Sequence, residues 1–116
     1  TELDFVNHVG LAVGILEHGS EIPVGVGRYI LESRSNKKPD CAELAFAVEE
    51  TFQNQGVGTL LLKHLAVIAR QSGLKYFSAN VLGDNAKMCA VLAHSPLFVR
   101  VVNCGEGIRR FVLKLK

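Results

Sequence analysis

Gly56 and Gly58 stand one residue apart, directly after a strand-like run and at the start of what reads as a long apolar helix. The first four N–H groups of a helix have no partner within it, and the helix dipole adds partial positive charge there. Glycines at that point remove two Cβ atoms and let an anionic group, such as a ligand phosphate, come up to the backbone N–H groups. The turn between a strand and the helix that crosses the sheet is also where α/β folds bind ligands. A plainer reading has Gly56 merely beginning the helix and Gly58 packing against a strand. The run is not a P-loop, because no Gly-Lys-Ser/Thr follows, nor is it the dinucleotide fingerprint, whose third glycine would fall at Leu61. Glu43 is the other residue of chemical interest, a carboxylate within an otherwise apolar run, with small Ala45 and Ala47 on its own face.

Composition narrows the classes. The chain has 116 residues, enough for one domain over residues 1–116 and no second core. Hydrophobic residues make up 48% and charged residues 21%, which describes an ordinary globular chain rather than a disordered one. A net charge of +2 with scattered Lys and Arg gives no footprint for nucleic acid. Cys41, Cys89 and Cys104 are odd in number and far apart, and no CxxC or HxxxH spacing exists, so no metal is expected. Each cysteine reads as a small buried hydrophobe in a reducing, cytoplasmic setting. No apolar run reaches the ~20 residues of a membrane helix, and no signal peptide is seen.

The elements that must position these residues follow from periodicity and breakers. Phe5 to Leu16 and Ile22 to Leu31 read as a strand hairpin turning at Glu17 to Ser20. The glycines within it, among them Gly14 and Gly25, mark bulges or close backbone approach. A polar loop over Ser33 to Asp40 leads to a third strand, Cys41 to Glu49, with Glu43, Ala45 and Ala47 on one face and Leu44, Phe46 and Val48 on the other. Gly56 to Ser72 is a helix with Leu61, Leu65, Ile68 and Ala69 on its apolar face, ended by Gly73. Leu74 to Leu82 is a strand, Gly83-Asp84-Asn85 caps a short helix through Ala93, and Phe98 to Asn103 with Ile108 to Leu115 forms a last hairpin. The order β-β-β-α-β-α-β-β predicts an α/β fold with a mixed, mostly antiparallel sheet flanked by helices.

Gln53-Asn54-Gln55-Gly56-Val57-Gly58 resembles the Q/R-x-x-G-x-G/A motif of the GNAT superfamily of N-acetyltransferases. The likeness runs on from Ala42 to Met88, with the motif's strand before, helix after, next strand, and an Asn in the following turn, Asn85. The stretch from Ala42 to Ala66 is similar to the acetyltransferase domain of bacterial protein-lysine acetyltransferases. The resemblance implies that acetyl-CoA is the co-substrate. Its pyrophosphate would lie on the backbone N–H groups of Gln55, Gly56, Val57, Gly58 and Thr59, within a loop that begins at Gln53 and Asn54. Its pantetheine arm would lie where the strands holding Phe46 to Val48 and Lys75 to Leu82 splay apart, pairing with backbone near Ala47 and Val48. Asn85 would contact the arm, cap the second helix, or do both.

The acceptor implied is an amine, above all a protein lysine. A lysine with a pKa near 10.4 is neutral at pH 7 in only about one molecule in two thousand, so a positioned carboxylate that takes its proton supplies ~10²–10⁴ in rate. Glu43 is the candidate general base: burial in its strand would strengthen it as a base, and the matching strand Glu has that role in the lysine-acetyltransferase group. The alternative is a solvent-facing Glu43 or one paired with Arg28, and Glu49 and Glu50 read as solvated. One departure stands out. Leu92 falls where many GNAT enzymes carry a Tyr that protonates the leaving thiolate, which favours a second reading, a catalytically weak acyl-CoA-binding or regulatory module. Cys89 reads as packing, and His64 and His94 as boundary or loop residues.

Family members usually begin with a strand and one or two helices before the hairpin that starts here at Phe5. The chain opens at Thr1 without Met. The expectation is therefore a fragment of a longer protein, lacking the first strand and helices of the family fold, with apolar sheet surface left uncovered and a tendency to self-associate.

Overall fold

The computed structural model describes residues 8–32, 40–49 and 56–115. β1 (His8–Glu17) and β2 (Ser20–Leu31) form the first hairpin. His18 and Gly19 close it with φ of 52° and 81°, the left-handed pair that suits the twist of a two-residue hairpin turn. Such a tight turn lets β2 begin two residues before the expected Ile22. Then come β3 (Cys41–Val48), α1 (Val57–Gln71), β4 (Tyr76–Leu82), α2 (Ala86–Ala93), β5 (Phe98–Asn103) and β6 (Ile108–Lys114), in the order that the sequence predicts. Several stretches with sequence expectations lie outside the described residues, among them the strand start at Phe5 to Asn7, the loop at 33–39 and Glu50. β4 starts at Tyr76 rather than Leu74, because Gly73 (φ 87°) and Leu74 still belong to the end of α1, where the Leu74 N–H bonds to the Ala69 carbonyl.

The strands join in one sheet of order β1-β2-β3-β4-β6-β5. β3 and β4 run parallel, with α1 as their crossover, and the other neighbours pair antiparallel. Period-2 alternation sends Tyr29, Ala42, Leu44, Phe77, Ala79, Phe111 and Leu113 to one face, where they bury Leu65, Ala66 and Ala69 of α1 with Cys89 and Leu92 of α2. The expectation of a sheet flanked by helices is thus refined: α1 and α2 share this one face. On the other face Val26 stays 47% and Ile30 41% exposed, so apolar sheet surface is uncovered among the described residues.

Gly25 shows the close backbone approach expected of a strand glycine. A Cβ there would sit 2.6 Å from Cγ1 of Val57, a buried, β-branched residue at the start of α1 with little freedom to give way. Gly25→Ala is expected to push the N-terminus of α1 off the sheet and destabilise the fold by ~1–3 kcal/mol. Gly10→Ala, whose Cβ meets nothing nearer than 3.9 Å, removes that clash from the comparison. Urea unfolding of both variants checks this, and equal midpoints would contradict it. Gly14 sits instead at a register shift of the β1–β2 pair, the bulge that the sequence allows for.

Candidate active site

The site is built around a fork in the sheet. β3 pairs with β4 from Cys41 opposite Tyr76 to Leu44 opposite Ala79, and there the register ends. Above that point β3 continues beside β2 up to Val48 opposite Gly25, and β4 continues beside β6 up to Leu82 opposite Ile108. Ala45 to Val48 and Asn80 to Leu82 therefore diverge, each still held by its outer neighbour. A cavity of about 180 Å³ lies beside the freed end of β3, with Phe46, Ala47, Val48, Gly58 and Asn85 in its wall together with Lys87, Met88 and Val91 of α2. The structure thus brings together five residues that the sequence assigns to one ligand. Lys87, Met88 and Val91 went unrecognised. Their place depends on how α2 docks, which local patterning does not reveal.

At the helix end of the fork, Gly56 is the N-cap of α1, with φ 80° and ψ 10° and no side-chain hydrogen bond to the first turn. No acidic residue occupies that turn, and among the described residues no side chain caps its N–H groups. Gly56 is needed for its left-handed backbone, since a Cβ there would meet nothing within 4 Å. Gly58 does not pack against a strand, as the plainer reading has it: a Cβ would stand 3.6 Å from Val91 of α2, in ordinary contact. Val57 is the residue that packs on the sheet, and Thr59 is exposed. Gln53, Asn54 and Gln55 lie outside the described residues.

A groove of about 840 Å³ runs on from Gly58 between α1 and α2. Its lining includes four basic side chains, Lys63, Arg70, Lys87 and His94, and no acidic one. Asn85 caps α2, its Oδ1 accepting from the Met88 N–H at 3.2 Å, so the capping role is real and coexists with a place in the cavity wall. Leu92, which the sequence resemblance sets against the family's Tyr, is wholly buried in the core and carries no proton-transfer chemistry.

Glu43 lies across from Ser78, one step below the fork, with its side chain on the uncovered face. The expected burial is not found: Glu43 is exposed, because no described element covers that face. Nor does it pair with Arg28, which lies opposite Ala45. Its partner is Asn80, whose Nδ2 donates to Glu43 Oε2 at 3.3 Å. A groove of about 490 Å³ runs along this face past Ala45, Ala47, Arg28 and Gly10, as the small side chains predict. Of the other singled-out residues, Cys89 is buried, Glu49 and His64 are exposed, and His94 ends α2. Cys104 corrects its reading as a buried hydrophobe, since it sits exposed in the β5–β6 turn.

The acetyltransferase (GNAT) family profile matches residues 2–94. Among curated proteins the chain is similar to acetyltransferase Pat of Mycolicibacterium smegmatis, with 32% identity over 92 residues, or 78% of this chain and 26% of that protein. Among solved structures it is similar to the GNAT domain of S. lividans PAT, with a TM-score of 0.76 and 32% identity over 98% of this chain and 64% of that one. The fold also matches yncA of Salmonella typhimurium, solved with its cofactor acetyl-CoA, with a TM-score of 0.66 and 22% identity over 82% of this chain and 60% of that one. The chain spans about a quarter of the curated relative's length. With a forked sheet, an uncapped glycine-started helix at the fork and a family match over most of its residues, the chain belongs to the GNAT acetyltransferase family.

Proposed function

We propose that this chain is the acetyl-CoA-binding and acyl-transferring unit of an N-acetyltransferase that acts on an amine, above all a protein lysine. The observation that carries this reading is the fork: β3 leaves β4 one residue beyond Glu43, and its freed end shares a cavity with Gly58 at the N-terminus of α1. The residues fit the co-substrate. The N–H groups from Gly56 to Thr59 suit the pyrophosphate, and the basic groove by Lys63 and Lys87 suits the charged nucleotide end. Phe46, Ala47 and Val48 offer a strand edge to the pantetheine arm, which enters the cavity beside Asn85.

The acceptor amine reaches the thioester from the uncovered face, along the groove lined by Ala45 and Ala47. Glu43, directly or through a water, takes the ammonium proton. The amine nitrogen then attacks the thioester carbonyl, the C–N bond forms, the C–S bond breaks, CoA leaves as a thiolate, and the second nitrogen proton passes to that thiolate or to water. A thiol with a pKa near 8.5 leaves without a dedicated acid at neutral pH, which accommodates Leu92. The lysine acceptor rests on the sequence resemblance to protein-lysine acetyltransferases.

Buried Leu92 also favours a second reading, a module that binds acyl-CoA without turnover. One experiment separates the two. Acetyl-CoA is expected to raise Tm in either case, by about 2.7 kcal/mol of stabilisation at a hundredfold excess over Kd. Thiol release on addition of a lysine peptide is expected only of the enzyme. A Tm unmoved by acetyl-CoA would contradict both.

A further inference from the structure

We infer that Arg110 and Asn80 form a positioning chain that orients Glu43, a role that rests on the reading of Glu43 as general base. Arg110 Nε donates to Asn80 Oδ1 at 3.0 Å, and Asn80 Nδ2 donates to Glu43 Oε2 at 3.3 Å. Strand register produces this line of three. Asn80 and Arg110 face each other across β4 and β6. Glu43 faces Ser78, so Asn80 is one same-face step further along β4, and it is the first residue beyond the last β3–β4 pair. The chain therefore ends at the mouth of the fork.

The chemistry of the amide makes Arg110 decisive. An Asn side chain has a donor end and an acceptor end, and it can present either to Glu43. A guanidinium only donates, so it claims Oδ1 and leaves Nδ2 for the carboxylate. Turned round, the amide would set N–H against guanidinium and oxygen against carboxylate, two repulsive contacts. Arg110 thus fixes the polarity of Asn80 without reaching Glu43. A neutral amide holds the carboxylate less tightly than a paired arginine would, which suits a group that must accept a proton. Among the described residues Glu43 has no other hydrogen bond, so Oε1 remains for the amine or its bridging water.

Other charged or titratable groups share this face. Ile30 of β2, opposite Glu43, is flanked by Arg28 and by Glu32 just past the strand's end, and His8 of β1 lies beyond them. Tyr76 stands on β4, with Lys114 of β6 opposite it. Glu32 accepts from Ser78 Oγ at 2.8 Å, so the second carboxylate is held by a partner of its own. Both helices lie on the other face.

The test follows thiol release from acetyl-CoA with a lysine peptide, with kcat and KM for each substrate read separately. Asn80→Ala is expected to lower kcat at neutral pH about tenfold, because the carboxylate is no longer held toward the amine. KM for acetyl-CoA should stay put, because Asn80 is not among the residues that wall the cavity beside Gly58 and Asn85. Arg110→Ala is expected to act in the same direction, Arg110→Lys to restore most of the effect, and the Asn80→Ala/Arg110→Ala double variant to add little. A kcat unmoved in Asn80→Ala overturns the chain, and so does failure of Arg110→Lys to rescue. Glu43→Gln, run alongside, separates the two failures. If it abolishes turnover while Asn80→Ala leaves kcat intact, the base stands without the chain; if it retains wild-type turnover, base and chain fall together.

Discussion

Replacing Glu43 by Gln is expected to lower kcat by ~10²-fold or more while leaving acetyl-CoA affinity nearly unchanged. Gln keeps the shape and the bond from Asn80, but it cannot take an ammonium proton as a carboxylate does. The co-substrate lies on Gly56 to Thr59 and β3 backbone in the proposed arrangement, so binding is not touched. Raising the pH should recover part of the loss, because more of the acceptor arrives already neutral. That recovery distinguishes a lost base from a lost fold. The exposed setting of Glu43 shapes the expectation further: with water at hand, proton transfer through a bridging water is as available as direct contact. Thiol release measured across a pH series for both proteins is the check, and wild-type turnover by Glu43→Gln at pH 7 would remove the assignment.

Gly58→Glu is expected to weaken acetyl-CoA binding tenfold or more, at least ~1.4 kcal/mol. Gly58 borders both the cavity in the fork and the groove between the helices. A Cβ there meets Val91 at an ordinary 3.6 Å, so the side chain is admitted and extends into the space left for the ligand. The carboxylate itself is favoured in the first turn of a helix by ~0.3–1 kcal/mol. The variant should therefore fold and plug its own anion site. Gly58→Ala is the companion: it adds the same Cβ and no charge, and it replaces the poor helix former by the best. It should raise Tm and keep most of the affinity. Calorimetry on the pair reads both effects, and undiminished binding by folded Gly58→Glu would move the pyrophosphate elsewhere.

The fold was legible in the sequence because its signals are local. Period-2 alternation in Cys41–Val48 sorted Glu43 from Leu44, and the 3.6 period of α1 found Leu61, Leu65 and Ala69. Gly73 marked the end of α1 by its backbone, and Asn85 marked the start of α2 by its side chain. The residues around the fork were legible through the family motif, and the structure gathers Phe46, Ala47, Val48, Gly58 and Asn85 at one cavity. What stayed hidden depends on long-range register. Asn80 shows in the sequence only as a polar residue on the non-core face of β4, and Arg110 as one of a basic pair. Nothing local says that they face each other, or that Asn80 stands beside Glu43. The same blindness produced the expected burial of Glu43. An apolar strand implies a buried face on one side, but which of its two faces a helix covers is decided by where α1 and α2 dock.

The central claim is that acetyl-CoA occupies the β3–β4 fork, and amide chemical shifts followed by NMR during an acetyl-CoA titration test it most directly. The predicted result is a saturable set of shifts concentrated at Ala45 to Val48, Gly56 to Thr59 and Asn85 to Met88, with the β1–β2 turn at His18 and Gly19 unmoved. Saturable shifts that leave the fork untouched, or no shifts at millimolar acetyl-CoA, would contradict it.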